Sequence, residues 1–366
     1  MSPSNKVIIA VAGSRKTTFI VEDALQQMGR RILVLTYTIE NLNLIKRYFI
    51  DKFGCVPSNI KIQSWFSFLL QEMVRPYRNH LYPDRRVESI CFISGGVSVP
   101  YIPERNIRDH YFFGGDKIYT DKISKFSQRC NEATGGNLVI KRLENIYDAI
   151  YIDEVQDLAG YDLEILELLM KSKINITAVG DTRQATYFTN CSPKFKKYKG
   201  KNIIHIFQEW QQKGFCDIEF RNDCYRGNSA ICDFADKLYT DLPKTISKNT
   251  TTTDHDGVFI VGKKLLSEYV KKFKPTVLRE RIDSNTLGLD AMNFGLSKGQ
   301  TFDRVLIFPN GPMIKFIEKD CSGALTDKTR ANLYVAITRA RYSVAIYIDK
   351  EMASRILTPL SDQHLM

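Results

Sequence analysis

Short runs of apolar residues recur along this chain and limit its fold more than any other feature. Gly, Asp or Asn bounds most of the runs, and stretches with helical periodicity lie between several of them. A strand that helices cover on both faces is apolar throughout, which is typical of parallel sheets. The sequence therefore predicts an α/β fold with parallel sheets. The expected strands are Val7–Val11, Ile32–Thr36, Ala149–Ile152, Ile176–Val179, Ile218–Phe220, Val258–Val261, Arg304–Phe308 and Ser343–Ile348.

The length of 366 residues predicts two domains, at about 150 residues each. Residues 75–135 interrupt the alternation of strands and helices with four prolines and two glycine pairs. We expect this stretch to be a small insertion in the first domain.

The charge balance indicates a polyanionic partner. Lys and Arg total 52 against 41 Asp and Glu, a formal net charge of +11, and nucleic acid is the first candidate. The eight cysteines include no C-x-x-C pair, so we expect reduced thiols, neither zinc nor disulfides, and a cytoplasmic location. No apolar run is long enough for a membrane helix, so no membrane association is expected.

The first predicted strand leads into a turn that resembles a phosphate-binding loop. Backbone N–H groups of such a turn and of the following helix start point at phosphate, while Lys16 reaches the β- and γ-phosphates and Thr17 ligates Mg²⁺. Relative to G-x-x-x-x-G-K-[ST], Ala10 and Arg15 replace glycines. A plain strand–turn–helix junction remains an alternative on this motif alone. The residues expected to bind nucleotide here are Ala12, Gly13, Ser14, Arg15, Lys16, Thr17 and Thr18.

Two carboxylates follow another predicted strand directly. Asp153 and Glu154 come after Ala149–Ile152, at the carboxyl end of the strand, where open parallel sheets bind ligands. Asp153 is a candidate Mg²⁺ ligand, and Glu154 is a candidate for polarising the water that attacks a γ-phosphate.

Several motifs in one order resemble the UvrD/Rep-like superfamily 1 DNA helicases. The segment 153–157 is similar to that family's D-E-x-Q-D box, 180–184 to G-D-x-x-Q, 225–226 to Y-R, 297–303 to S-K-G-L-E-F-D and 333–340 to L-Y-V-A-x-T-R-A. The resemblance extends from about Val7 to about Ile348.

This resemblance implies two RecA-like ATP-binding domains, with ATP and Mg²⁺ as cofactors. The first domain would comprise residues 1–74 and 136–222, with the insertion at 75–135, and the second residues 223–366. Tyr225 would stack on adenine, and Arg339 would take the arginine-finger role. The catalytic residues implied are Lys16, Asp153, Glu154, Gln184, Arg226 and Arg339.

Candidate DNA contacts follow from the same resemblance, with single-stranded DNA or a partly single-stranded duplex as partner. Aromatic side chains can stack on bases without reading sequence. For Trp65, a place in the hydrophobic core is the competing interpretation. RNA also stays open, since stacking does not distinguish the sugars. The candidate residues are Thr36, Tyr37, Ser64, Trp65, Tyr187, Ser297 and Lys298.

Two departures from the family pattern leave two functions open. Arg15 places a side chain where a glycine is usual, and only 70 residues separate Arg226 from Ser297, where larger relatives insert an accessory subdomain. One function is a 3′-to-5′ helicase or translocase whose ATPase single-stranded DNA stimulates. The other is a weakly or non-hydrolysing, nucleotide-gated DNA-binding subunit of a larger nuclease or defence complex. A protein partner supplying a nuclease or accessory function is expected for the second and would help the first to unwind duplex.

Overall fold

The computed structural model describes residues 5–93, 96–187, 189–190, 192–349 and 354–360. These residues form two compact units. The first unit lies within Met1–Ile9, Lys16–Thr182 and Tyr187–Phe220, and the second within Ala10–Arg15, Arg183–Thr186 and Arg221–Met366.

Each of the eight strands expected from the sequence overlaps a strand of the structure. The strands are β1 (Lys6–Ala10), β2 (Ile32–Thr36), β3 (Ile60–Ser64), β4 (Ser89–Cys91), β5 (Phe112–Phe113), β6 (Lys117–Tyr119), β7 (Ala149–Asp153), β8 (Asn175–Gly180), β9 (Asp217–Arg221), β10 (Asp223–Cys224), β11 (Ile246–Ser247), β12 (Gly257–Gly262), β13 (Thr276–Arg279), β14 (Met292–Asn293), β15 (Phe302–Phe308), β16 (Ala340–Ile348) and β17 (Thr358–Pro359).

The α-helices lie between these strands, as the stretches with helical periodicity predicted. They are α1 (Lys16–Leu25), α2 (Ile39–Phe53), α3 (Trp65–Phe68), α4 (Ile107–Tyr111), α5 (Ile123–Ala133), α6 (Leu138–Ile146), α7 (Tyr161–Met170), α8 (Ile203–Gln212), α9 (Ser229–Asp236), α10 (Lys263–Phe273), α11 (Gly311–Lys319) and α12 (Asp327–Ile337). Within the described part of the chain, no helix has both the length and the apolarity to cross a membrane.

The first unit is built on a six-stranded sheet with the order β3-β2-β7-β8-β1-β9. The pairs β2–β3, β2–β7, β7–β8 and β1–β8 are parallel. Every residue of β2 and β7 is buried, as expected for strands that helices cover on both faces. Because β7, β8 and β1 are neighbours and parallel, their carboxyl ends meet at one edge. The chain leaves that edge after Asp153, Gly180 and Ala10.

The stretch 75–135 holds a three-stranded sheet, with the order β4-β6-β5, and helices α4 and α5. Its core is continuous with that of the first unit: Tyr82, Tyr111, Ile118 and Phe126 belong to the same buried cluster as Leu33 of β2. The residues expected to form an insertion are therefore packed on the main core. The domain boundaries taken from the sequence stay a prediction.

The second unit contains a six-stranded sheet with the order β14-β13-β15-β16-β12-β17, and all of its strand pairs are parallel. Buried clusters cover it, one around Leu333 and Val344 and another around Tyr269 and Ala345. The 70 residues between Arg226 and Ser297 supply α9, β12, α10, β13 and β14, so this stretch contributes three strands of the sheet. The expected fold class, two α/β domains with parallel sheets, is confirmed, and the described residues of the second unit contain no large accessory subdomain.

Candidate nucleotide and DNA sites

The turn after β1 contains a position that only glycine can occupy and leads directly into helix α1. Gly13 has φ 74°, and a Cβ there would lie 2.7 Å from the Arg226 Cβ and 2.8 Å from the Cys224 Sγ, so only glycine fits. Helix α1 begins at Lys16, which puts that residue at the positive end of the helix dipole.

The other predicted turn residues lie in and just after the same turn. Ala12 is buried, and its N–H is 3.5 Å from the Tyr334 hydroxyl oxygen. Ser14 and Thr18 are half-buried, and Arg15 is exposed. Ser14 closes the turn by donating its N–H to the Val11 carbonyl at 3.3 Å.

In the first unit the Thr17 hydroxyl and the two strand-end carboxylates lie together. Thr17 Oγ1 donates to Asp153 Oδ2 at 3.3 Å, and the Glu154 N–H donates to Asp153 Oδ1 at 3.0 Å. Burial raises the pKa of Asp153, and the neighbouring Glu154 charge raises it further, while Lys16 opposes the shift. Glu154 has a left-handed backbone, with φ 58° and ψ 42°; such outliers cluster at functional sites.

These oxygens fit Mg²⁺. A hydroxyl and a carboxylate oxygen are hard donors of the kind that Mg²⁺ takes, usually one or two from the protein with water and phosphate completing the shell. Thr17 and Asp153 would hold the ion, and a cation there would favour the ionised form of the buried Asp153 carboxyl.

Gln156 connects Glu154 to the next strand end, a role that the sequence analysis missed. Its Nε2 donates to the Glu154 carboxylate, and its Oε1 accepts from the Asp181 N–H at 3.0 Å. This close approach requires Gly180, since a Cβ there would lie 2.2 Å from Gln156 Oε1 and 2.9 Å from Val155 Cγ1. The sequence signals for this contact are the Gln of the D-E-x-Q-D box and the Gly of the G-D-x-x-Q box.

In the second unit the structure brings Gln184 and Arg339 together. Arg339 is 1% exposed, and its Nη2 donates to Gln184 Oε1 at 3.1 Å. Its Nε donates to the Val335 carbonyl at 3.0 Å, which fixes the guanidinium against the last turn of α12. A buried arginine needs such partners because an unsatisfied charge is costly to bury.

Arg183 anchors the segment that carries Gln184, and the sequence analysis did not single it out. Its side chain is buried and lies 3.6 Å from an Asp236 carboxylate oxygen. Nη1 donates to Thr245 Oγ1 at 3.1 Å, while the Arg183 carbonyl accepts from the Tyr239 hydroxyl at 3.0 Å. The contacts of Arg183 thus hold the neighbouring Gln184 in position.

Tyr225 and Arg226 lie beside the turn in the same unit. The Tyr225 N–H donates to the Gly13 carbonyl at 2.9 Å, and its ring is 43% exposed. Arg226 Nη1 donates to the Thr338 carbonyl at 3.0 Å. The Arg15 guanidinium carbon lies 4.1 Å from the centroid of the Tyr225 ring.

Two of the candidate DNA contacts are better explained as structural residues. Trp65 is 1% exposed and its Nε1 donates to the buried Asp162 carboxylate at 2.7 Å, so its ring has no free face for a base. Ser297 is fully buried and donates its hydroxyl to the Phe294 carbonyl at 2.7 Å. For both residues, burial and these hydrogen bonds argue against the expected DNA contact.

The other candidates differ in how far they reach the surface. Tyr187 is 46% exposed, Lys298 is half-buried, and the half-buried Tyr37 packs edge-to-face on Phe66 with ring centroids 5.5 Å apart. Thr36 is buried at the end of β2. Ser64 caps α3 by accepting from the Ser67 N–H at 3.2 Å. Tyr187 is therefore the best-placed aromatic of the set.

Residues 118–197 match the family model for the UvrD/REP helicase N-terminal domain. The matched stretch contains Asp153, Glu154, Gln156, Gly180 and Gln184. This stretch of the chain is similar to the UvrD/REP helicases. Both strand-end motifs described above lie within the matched stretch.

The chain is also similar to solved viral helicase structures, each 16% identical to it. One is the PRRSV helicase, with a TM-score of 0.46 and 96% of this chain covered. The other two are the arterivirus nonstructural protein 10 (helicase), with a TM-score of 0.44, and its complex with DNA, with a TM-score of 0.46; each covers 94% of this chain. This chain spans 55%, 59% and 61% of the length of those chains. No curated protein sequence matches it.

Proposed function

We propose that this chain is an ATP-dependent DNA helicase or translocase whose ATP hydrolysis is stimulated by single-stranded DNA and which moves 3′ to 5′. The observation that carries the proposal is the contact of Thr17 Oγ1 with Asp153, 3.3 Å apart, next to a Glu154 carboxylate that Gln156 holds in place. This is the arrangement that phosphoryl transfer to water requires.

Each residue has a defined task in this reaction. Lys16 binds the β- and γ-phosphates, and Thr17 and Asp153 hold Mg²⁺, which when bound neutralises phosphate charge. Glu154 orients the attacking water and accepts its proton on the carboxylate that Gln156 touches. In the second unit, Gln184 Oε1 accepts from Arg339 Nη2 at 3.1 Å, and the family resemblance gives Gln184 the role of γ-phosphate sensor and Arg226 and Arg339 the role of catalytic cations.

In the same proposal, DNA binds to exposed aromatic and basic side chains. The net charge of +11 favours a phosphate backbone, and the 46% exposed ring of Tyr187 suits base stacking, with Tyr37 as a second stacking residue. The 3′-to-5′ direction rests on the family resemblance.

The direction is tested with duplexes that carry either a 3′ or a 5′ single-stranded tail. ATP-dependent strand separation, or displacement of streptavidin from a biotinylated end, is expected only where travel starts from the 3′ side. Glu154→Gln is the matched control, because it removes the base while keeping the size of the side chain. Movement in the opposite direction would overturn the assigned direction, and activity equal in Glu154→Gln would overturn the catalytic assignment.

One observation favours the second function, a weakly hydrolysing DNA-binding subunit. Arg15 has φ 63° at the position before Lys16, where a strained backbone with a side chain alters the turn that receives phosphate. Nucleotide-dependent DNA binding with turnover no higher in the wild type than in Glu154→Gln would support this function over the motor.

A further inference from the structure

Arg15 has a backbone conformation that disfavours the residue it carries. With φ 63° it lies in the left-handed region, which costs a residue with a Cβ roughly 1–2 kcal/mol relative to the right-handed region. Glycine would avoid this cost. A strained residue that surrounding contacts keep in place points to a function.

The side chain of Arg15 has a defined partner, the ring of Tyr225. The guanidinium carbon lies over this ring at 4.1 Å from its centroid, well inside the range of a cation–π contact. The Tyr225 backbone is held beside the turn, because its N–H donates to the Gly13 carbonyl at 2.9 Å. Tyr225 is thus connected to the turn twice, through its backbone and through its side chain.

Arg15 also stands next to Lys16, at the start of the helix that receives phosphate. A guanidinium binds phosphate oxygens through paired, charge-assisted hydrogen bonds, which are stronger than a cation–π contact at an exposed site. A polyphosphate in the turn therefore competes with the Tyr225 ring for one cation.

We propose that Arg15, which the sequence places among the nucleotide-binding residues, exchanges two mutually exclusive partners: the Tyr225 ring, as seen here, and the polyphosphate of a nucleoside triphosphate. This rests on the proposed function, since it takes the turn as a nucleotide site. When Arg15 moves to the phosphates, the exposed ring of Tyr225 becomes free to stack on the base. Phosphate binding and base stacking are coupled through this one side chain.

The test uses inorganic tripolyphosphate, which has no base and so makes no stacking contact with Tyr225. Its affinity is measured by calorimetry at fixed Mg²⁺ for the wild type, Tyr225→Leu, Arg15→Gly and the double variant. Removing the ring releases Arg15, so Tyr225→Leu should bind tripolyphosphate about two- to fivefold more tightly than the wild type. Arg15→Gly should bind it more weakly, and the gain from Tyr225→Leu should vanish in the Arg15→Gly background.

Two control variants test whether an effect comes from Arg15 itself, from the loss of any cation at a left-handed position, or from the phosphate site as a whole. Lys274 is an exposed residue with φ 44°, so Lys274→Gly removes a cation from a left-handed position away from the turn and should leave the affinity unchanged. Lys16→Ala should abolish binding. Loss of binding in Lys16→Ala without a gain in Tyr225→Leu would overturn the partner exchange alone. No binding by the wild type, or binding that is unchanged in Lys16→Ala, would overturn the nucleotide site and the exchange together.

Discussion

The amide of Gln156 donates to the carboxylate of Glu154, so the proposed catalytic base is held by a residue two positions further along the chain. The other end of the same amide accepts from the Asp181 N–H at 3.0 Å. One side chain therefore connects the loops after β7 and β8 and orients Glu154. Residues that orient a catalytic group without touching substrate commonly change activity by one to two orders of magnitude.

Replacing Gln156 with alanine should lower ATP turnover about 10- to 100-fold, because Glu154 loses its orienting hydrogen bond. The KM for ATP should change little, since Lys16 and Thr17 are untouched. Steady-state kinetics measures both, with the exposed Gln26→Ala as the matched control. A change in KM with normal turnover would mean that Gln156 acts on binding instead.

Gly180→Ala should disturb the same contact from the backbone side. The new Cβ would lie 2.2 Å from Gln156 Oε1 and 3.2 Å from the Gln156 backbone nitrogen, and backbone cannot move as freely as a side-chain end. Overpacking of this kind lowers the free energy of unfolding by about 1–3 kcal/mol. Urea unfolding measures this change in the free energy of unfolding. The control is Gly29→Ala, where the space around the Cβ is open, and it should be nearly neutral. Equal stabilities of the two variants would contradict the packing.

Arg339 is predicted to act on turnover through its guanidinium. Arg339→Lys keeps the charge but has no planar fork with which to reach both Gln184 and the Val335 carbonyl. Arginine fingers contribute about 10³- to 10⁵-fold, so we expect a loss of turnover near the lower end of that range. The nearby exposed Arg341→Lys is the control. Thermal melting identifies variants that are simply unfolded, and a folded Arg339→Lys with normal turnover would contradict the assignment.

Trp65 and Tyr187 should respond differently although both were candidates for stacking on DNA. Trp65→Phe removes the donor to Asp162, a carboxyl whose pKa burial raises, and should lower stability by about 1–3 kcal/mol without changing DNA affinity. Tyr187→Ala should weaken single-stranded DNA binding by about 1–3 kcal/mol per stacked base. Fluorescence anisotropy with a labelled oligonucleotide measures the affinity. A weaker complex with folded Trp65→Phe would show that the buried ring does reach DNA.

The sequence predicted the strands and the strand-end motifs because these depend on short-range pattern. A run such as Ala149–Ile152 is recognised as a strand from its own apolar residues, and Asp153 follows it directly in the sequence. For Trp65 the sequence could not decide between the core and DNA, because its partner Asp162 is 97 residues away in the chain. The same holds for the contact between Gln184 and Arg339, 155 residues apart, and for Arg15, whose partner ring depends on how residues 221–226 pack on the turn.

The most direct test of the whole account is the steady-state rate of ATP hydrolysis with and without a single-stranded oligonucleotide, on the wild type and on Glu154→Gln. We expect the oligonucleotide to raise the wild-type rate and Glu154→Gln to reduce that rate by at least about 100-fold, because only the base for the attacking water is lost. Equal rates for the two proteins, with or without DNA, would contradict the proposal that this chain is a DNA-stimulated ATPase.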